Sequence, residues 1–138
     1  MNRAELQAIS KLRTREAKTL LDAGNFEGSY YLMGYAVECA LKSAIAKKTK
    51  RHDFPDKSAA QASHTHNLEE LLRQGGLNTR LTADASSMPQ LTVNWAVVKD
   101  WRETARYQSA IGQPKATDLY KACMSRKYGV LTWIKKYW

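Results

Sequence analysis

At 138 residues, with 43% hydrophobic and 25% charged residues, 7 Gly and 3 Pro, the chain is sized and composed for one globular domain spanning 1–138, which excludes disordered, fibrous and low-complexity classes. Lys and Arg number 22 against 13 Asp and Glu, and the net charge of +9 suits either an anionic partner such as nucleic acid or a domain kept soluble by charge at its helix ends. Cys39 and Cys123 belong to no C-x-x-C pair or zinc spacing, nothing approaches the ~18 apolar residues of a membrane span, and the first residues lack a signal peptide's apolar core. These features predict buried thiols and a cytoplasmic protein with no membrane segment, metal or cofactor.

Taken in chain order, Ala4 to Leu21 carries Leu6, Ile9, Leu12 or Arg13, Ala17 and Leu20 at helical spacing, with Gly24 as the stop. Phe26 to about Lys48 is a longer helix whose stripe is Met33, Val37, Leu41, Ala44 and Ile45, and its small residues Gly34, Ala36 and Ala40 suit close contact with another helix. Thr49 to Thr65, with Pro55, has no helical period and reads as a mobile loop. Asn67 and Glu70 have capping spacing before Leu68, Leu71 and Leu72, and Gly75 and Gly76 end that helix. Leu77 to Ser87 is a weaker helical segment. Pro89 opens the next helix, which puts Leu91, Trp95, Val98 and Trp101 or Arg102 on one side. After a break at Gly112 and Pro114, a final long helix runs through Ala116, Leu119, Cys123, Lys127, Val130, Leu131 and Ile134. No segment alternates like a strand, so the fold class is all-α: an up-and-down bundle of four to five main helices with a mobile loop after the second.

Three segments in order, GSYYLMGYAVECALKSAIAKK, SHTHNLEELL and VVKDWRETARYQ, give the chain a resemblance to the HEPN family across roughly residues 10 to 135. The resemblance implies a four- or five-helix bundle that commonly dimerises, so that two protomers bring a polar groove together. It also implies RNA, a nucleotide, or a nucleotidyltransferase or antitoxin-type protein as partner. Many family members are metal-independent ribonucleases marked by an Arg separated by four to six residues from a His that follows it. Here His52, His64 and His66 have no arginine at that spacing, and no histidine follows Arg102 or Arg106. The catalytic role does not carry over, and the expectation leans against an enzyme.

Among candidate binding residues, Tyr31, Tyr35, Glu38 and Lys42 fall on one side of the second helix. Glu38 and Lys42 can form an ion pair that supports the bundle. Alternatively, the tyrosines stack a base or ribose while Lys42 meets a phosphate. His64 and His66 lack a third ligand at zinc spacing. His66 is placed to bond the helix start or a neighbouring helix, and His64 reads as solvated. Arg102 and Arg106, four apart and followed by Tyr107, offer two guanidinium groups to phosphate, or else clamp an acid such as Glu38 or a helix C-terminus. The leading expectation is a non-catalytic HEPN-like protein that binds RNA, a nucleotide or a nucleotidyltransferase partner. The alternatives are a ribonuclease with a substitute residue set, or a purely structural partner in a two-gene module. A homodimer is expected through the second or the last helix, with Tyr120, Trp133 and Tyr137 as interface aromatics.

Overall fold

The computed structural model describes residues 1–49, 61 and 63–138, where all regular structure is helical. Seven α-helices are described: α1 Arg3–Asp22, α2 Phe26–Lys48, α3 Leu68–Gln74, α4 Leu77–Ala85, α5 Pro89–Val98, α6 Gln113–Met124 and α7 Val130–Ile134. A 3₁₀ turn, Glu103–Tyr107, lies between α5 and α6. Most of the loop expected over Thr49–Thr65, including Pro55 and His52, lies outside the described residues. No described helix is long and apolar enough to cross a membrane.

The N-terminus of α1 is fixed by a reciprocal cap. Asn2 Oδ1 accepts from the Glu5 amide at 2.9 Å, and the Asn2 amide donates to Glu5 Oε2 at 2.8 Å. Gly24, at φ +80°, turns the chain into α2. The two helices then run antiparallel, because Ser10 of α1 donates to the Ala36 carbonyl (2.7 Å) while Ser29, near the start of α2, donates to the Ala17 carbonyl (2.8 Å). The inner face of α1 is therefore Leu6, Ser10, Thr14 and Ala17, and Leu12 is 39% exposed. This corrects the apolar stripe expected for α1. Small hydroxyl side chains that bond backbone carbonyls let the helices approach more closely than leucines would.

Helix α2 is the spine. Met33, Val37 and Leu41 are fully buried, and α1, α3, α6, α7 and the 3₁₀ turn all pack on it. Each such side chain contributes about 1.5–3 kcal/mol by leaving water. Gly34, Ala36 and Ala40 are buried within the protomer, Gly34 beneath the Trp101 indole, so they are not available as a stripe for a second chain. Asn67 Oδ1 accepts from the Glu70 amide at 3.1 Å to start α3, and Pro89 opens α5.

The final helix expected over Ala116–Ile134 is broken in two. Helix α6 ends at Met124, and Gly129 sits where an added Cβ would come within 2.5 Å of the Cys123 and Ser125 carbonyl oxygens. Asn94 of α5 pins the turn by donating to the Tyr128 carbonyl at 2.8 Å. In α7, Trp133 is buried and its indole N–H donates to Asp84 Oδ2 (2.8 Å), which also accepts from the Tyr137 hydroxyl (2.6 Å). Trp133 therefore serves the protomer's own core, while Tyr120 and Tyr137 stay partly exposed. Burial raises the Cys39 thiol to about 11 and pushes Cys123 higher still.

Candidate functional site

The centre of the site is a carboxylate that the fold has taken out of water. Glu38 lies on α2, 2% exposed, and its Oε2 stands 3.4 Å from the Lys42 ammonium one turn on. Its Oε1 meets His66 Nδ1 at 2.8 Å. His66 sits just before the Asn67 cap of α3, so the start of that helix delivers the imidazole to α2. The opposite ring nitrogen, Nε2, faces Glu103 Oε2 of the 3₁₀ turn at 2.9 Å. Three separate segments are thereby tied through one side chain. Donating to both carboxylates requires a proton on each ring nitrogen. With Nδ1 committed to the buried acid, Nε2 is the nitrogen turned toward the outer side of the cluster.

Beside this cluster runs an aromatic row. The Tyr31 ring stacks on Tyr35 (6.2 Å, 21°) and on Trp101 (6.2 Å, 25°). Trp101 is fully buried, its indole N–H has no partner among the described residues, and its ring lies over Gly34, the one position on that stretch of α2 with no side chain to obstruct it. Tyr35 is half-buried, and burial raises its hydroxyl above the ordinary tyrosine value. Arg106 carries its guanidinium 4.9 Å from the centroid of the Tyr107 ring, which is 76% exposed. Contact with Tyr107, and then with Tyr31, raises the arginine pKa. Arg106 has no ion-pair partner among the described residues.

Tyr31, Tyr35, Glu38, Lys42, His66, Arg106 and Tyr107 are thus linked, directly or through Trp101 and Glu103, into one neighbourhood. Arg102 departs from it. Its Nη1 donates to the Lys99 and Trp101 carbonyls at 2.9 and 3.0 Å, closing the C-terminal end of α5. The helical spacing that would align Arg102 with Arg106 does not apply, because Arg102 is extended (φ −133°, ψ 147°) and the residues after it form a 3₁₀ turn. His64 is exposed. Two contributors were not expected at the site from the sequence: Glu103, and Trp101, which reads there as a position on one side of the Pro89 helix. Their one signal was position, inside the W-x-x-x-x-R-Y segment. Among the described residues, no three His, Cys, Asp or Glu side chains converge to hold a metal ion. Chemically, the neighbourhood offers stacking rings, a guanidinium held by tyrosines with no carboxylate partner among the described residues, and a lysine, with an imidazole oriented by a buried acid.

Comparison with protein-family models, curated proteins and solved structures returns no match for this chain.

Proposed function

We propose that this chain is a HEPN-like, cytoplasmic, non-catalytic protein that binds RNA or a nucleotide through the face of Tyr31, Tyr35, Lys42, His66, Arg106 and Tyr107. It acts as a homodimer alongside a nucleotidyltransferase or antitoxin-type partner. The observation that carries the reading is the Arg106 guanidinium, free of any described carboxylate and set between the exposed Tyr107 ring and the Tyr31–Tyr35 row. Cations interleaved with aromatic rings are what single-stranded nucleic acid uses, rings for bases and guanidinium for phosphate. The +9 charge supports it, as do the three ordered segments that resemble the family. Filter binding of single-stranded RNA across salt tests it: affinity should fall steeply as salt rises, because phosphate neutralisation releases counterions. Absence of binding at low salt by folded protein would overturn it.

One observation favours a second reading, a metal-independent ribonuclease. Glu38 holds His66 Nδ1 and Glu103 meets Nε2, so the imidazole is oriented between two carboxylates, an arrangement suited to passing a proton at Nε2. Incubation of RNA with chelator present decides between them. Cleavage by the wild type that disappears in His66→Ala favours the enzyme, and intact RNA favours the binder.

A further inference from the structure

Glu103 is an acid on a face proposed to meet phosphate. Its side chain is 36% exposed, and its Oε2 meets His66 Nε2 at 2.9 Å. Its other oxygen, Oε1, has no hydrogen-bond or ion-pair partner among the described residues. A carboxylate only accepts, and its two oxygens offer about four lone-pair positions, so the outward part of Glu103 is left to receive donors from a ligand.

The backbone fixes where those donors must lie. Glu103 and Arg106 are three residues apart in a 3₁₀ turn, where side chains at i and i+3 eclipse, so both project from one edge. Arg106 contacts Tyr31 of α2, whereas Glu103 reaches Glu38 of α2 through His66. Tyr31 and Glu38 are seven residues apart, about 10 Å along the helix axis, and Tyr35 lies between them on the same side. The turn therefore runs antiparallel to α2, with a guanidinium at one end of the tyrosine pair and a carboxylate at the other. Both tyrosine rings are partly exposed. A nucleotide has the matching order: an anionic phosphate, then a flat base, then the hydrogen-bonding edge of that base.

The bases differ in what that edge presents to an acceptor. Guanine carries two adjacent donors, N1–H and the N2 amine, which one carboxylate accepts together. Adenine and cytosine set an acceptor nitrogen beside their amine, and uracil flanks its N–H with two carbonyls, so each turns a lone pair toward the acid. We propose that the Arg106 face selects guanine, Glu103 accepting from N1–H and the N2 amine of a base stacked on the Tyr31–Tyr35 pair while Arg106 meets its phosphate. The inference rests on this face being an RNA or nucleotide site and adds which base the site takes.

Fluorescence anisotropy with labelled oligouridines carrying one central guanosine, inosine, adenosine or cytidine tests it. Wild type should bind the guanosine RNA at least roughly tenfold more tightly than the adenosine or cytidine RNA. Inosine, which keeps N1–H and lacks the N2 amine, should fall between them. Glu103→Gln should shrink the gap between guanosine and adenosine to less than about threefold, because an amide turns a donor toward one of guanine's two N–H groups. Damage to the turn alone would weaken all four RNAs alike, so the ratio separates a base contact from structural support. Competition with guanosine and adenosine monophosphates identifies the source of the base. Displacement by the guanosine nucleotide alone supports a free nucleotide, and a guanosine preference that neither nucleotide displaces supports a residue within RNA. Equal affinity of wild type for all four RNAs, or a preference unchanged in Glu103→Gln, would overturn the inference and leave RNA binding standing. No binding of any of them by folded protein would overturn both.

Discussion

Replacing Gly34 with Ala adds one methyl group to a helix, a change that ordinarily stabilises by about 0.5–1 kcal/mol. Here the sign should reverse. The new Cβ would fall inside the Trp101 indole, against Cδ2, Cε2 and Nε1, and the ring has nowhere to go because it is fully buried and stacked on Tyr31. Overpacking of this kind costs about 1–3 kcal/mol or more, and with the propensity gain subtracted the net loss is about 2 kcal/mol. For a chain of this length that lowers the melting temperature by roughly 6–10 °C. Urea unfolding and calorimetry measure it directly. Adding Trp101→Phe should recover part of the loss, since the smaller ring makes room, and the two substitutions should be coupled rather than additive. A Gly34→Ala protein as stable as the wild type would refute the seating of Trp101 on Gly34, and with it the account of how the aromatic row is held.

Glu38→Gln removes the charge that Lys42 and His66 share. Because both partners retain some contact with water, the expected cost is about 1–3 kcal/mol in urea unfolding, and a change below about 0.5 kcal/mol would show that the carboxylate does not tie α2 to α3. Asp84 is held below the usual carboxylate range by hydrogen bonds from Tyr137 and Trp133. Its folded pKa lies under its unfolded one, so its contribution is present above the unfolded value and lost as pH falls through the folded value. The stability gap between wild type and Asp84→Asn should hold from pH 7 to 5 and close below about pH 4, and a gap unchanged at acid pH would contradict this.

The elements whose ends depend on local chemistry were legible in the sequence. Gly24, the Asn67 cap and Pro89 each mark a boundary through a backbone property of the residue itself. The break after Met124 was not legible, because the helical period runs on through Lys127. The turn is imposed by Asn94, 34 residues earlier in the chain, holding the Tyr128 carbonyl. The site divides the same way. Tyr31, Tyr35, Glu38 and Lys42 could be grouped because they lie on one helix. The pairing of His66 with Glu38 and Glu103, and the stack of Trp101 on Tyr31, join distant segments that no spacing encodes. Arg102 was misplaced because helical spacing was assumed where the chain is extended.

The central claim is that Arg106 meets phosphate on this face, and a salt titration of RNA affinity for wild type and Arg106→Ala tests it most directly. Lys127→Ala, in the α6–α7 turn, controls for the loss of one positive charge elsewhere. A lost charge-assisted contact predicts that Arg106→Ala binds roughly tenfold more weakly at low salt. The slope of log affinity against log salt should fall by about one. Lys127→Ala should change affinity far less. Equal affinity and slope for Arg106→Ala and wild type, or no binding by the wild type at low salt, would contradict the account.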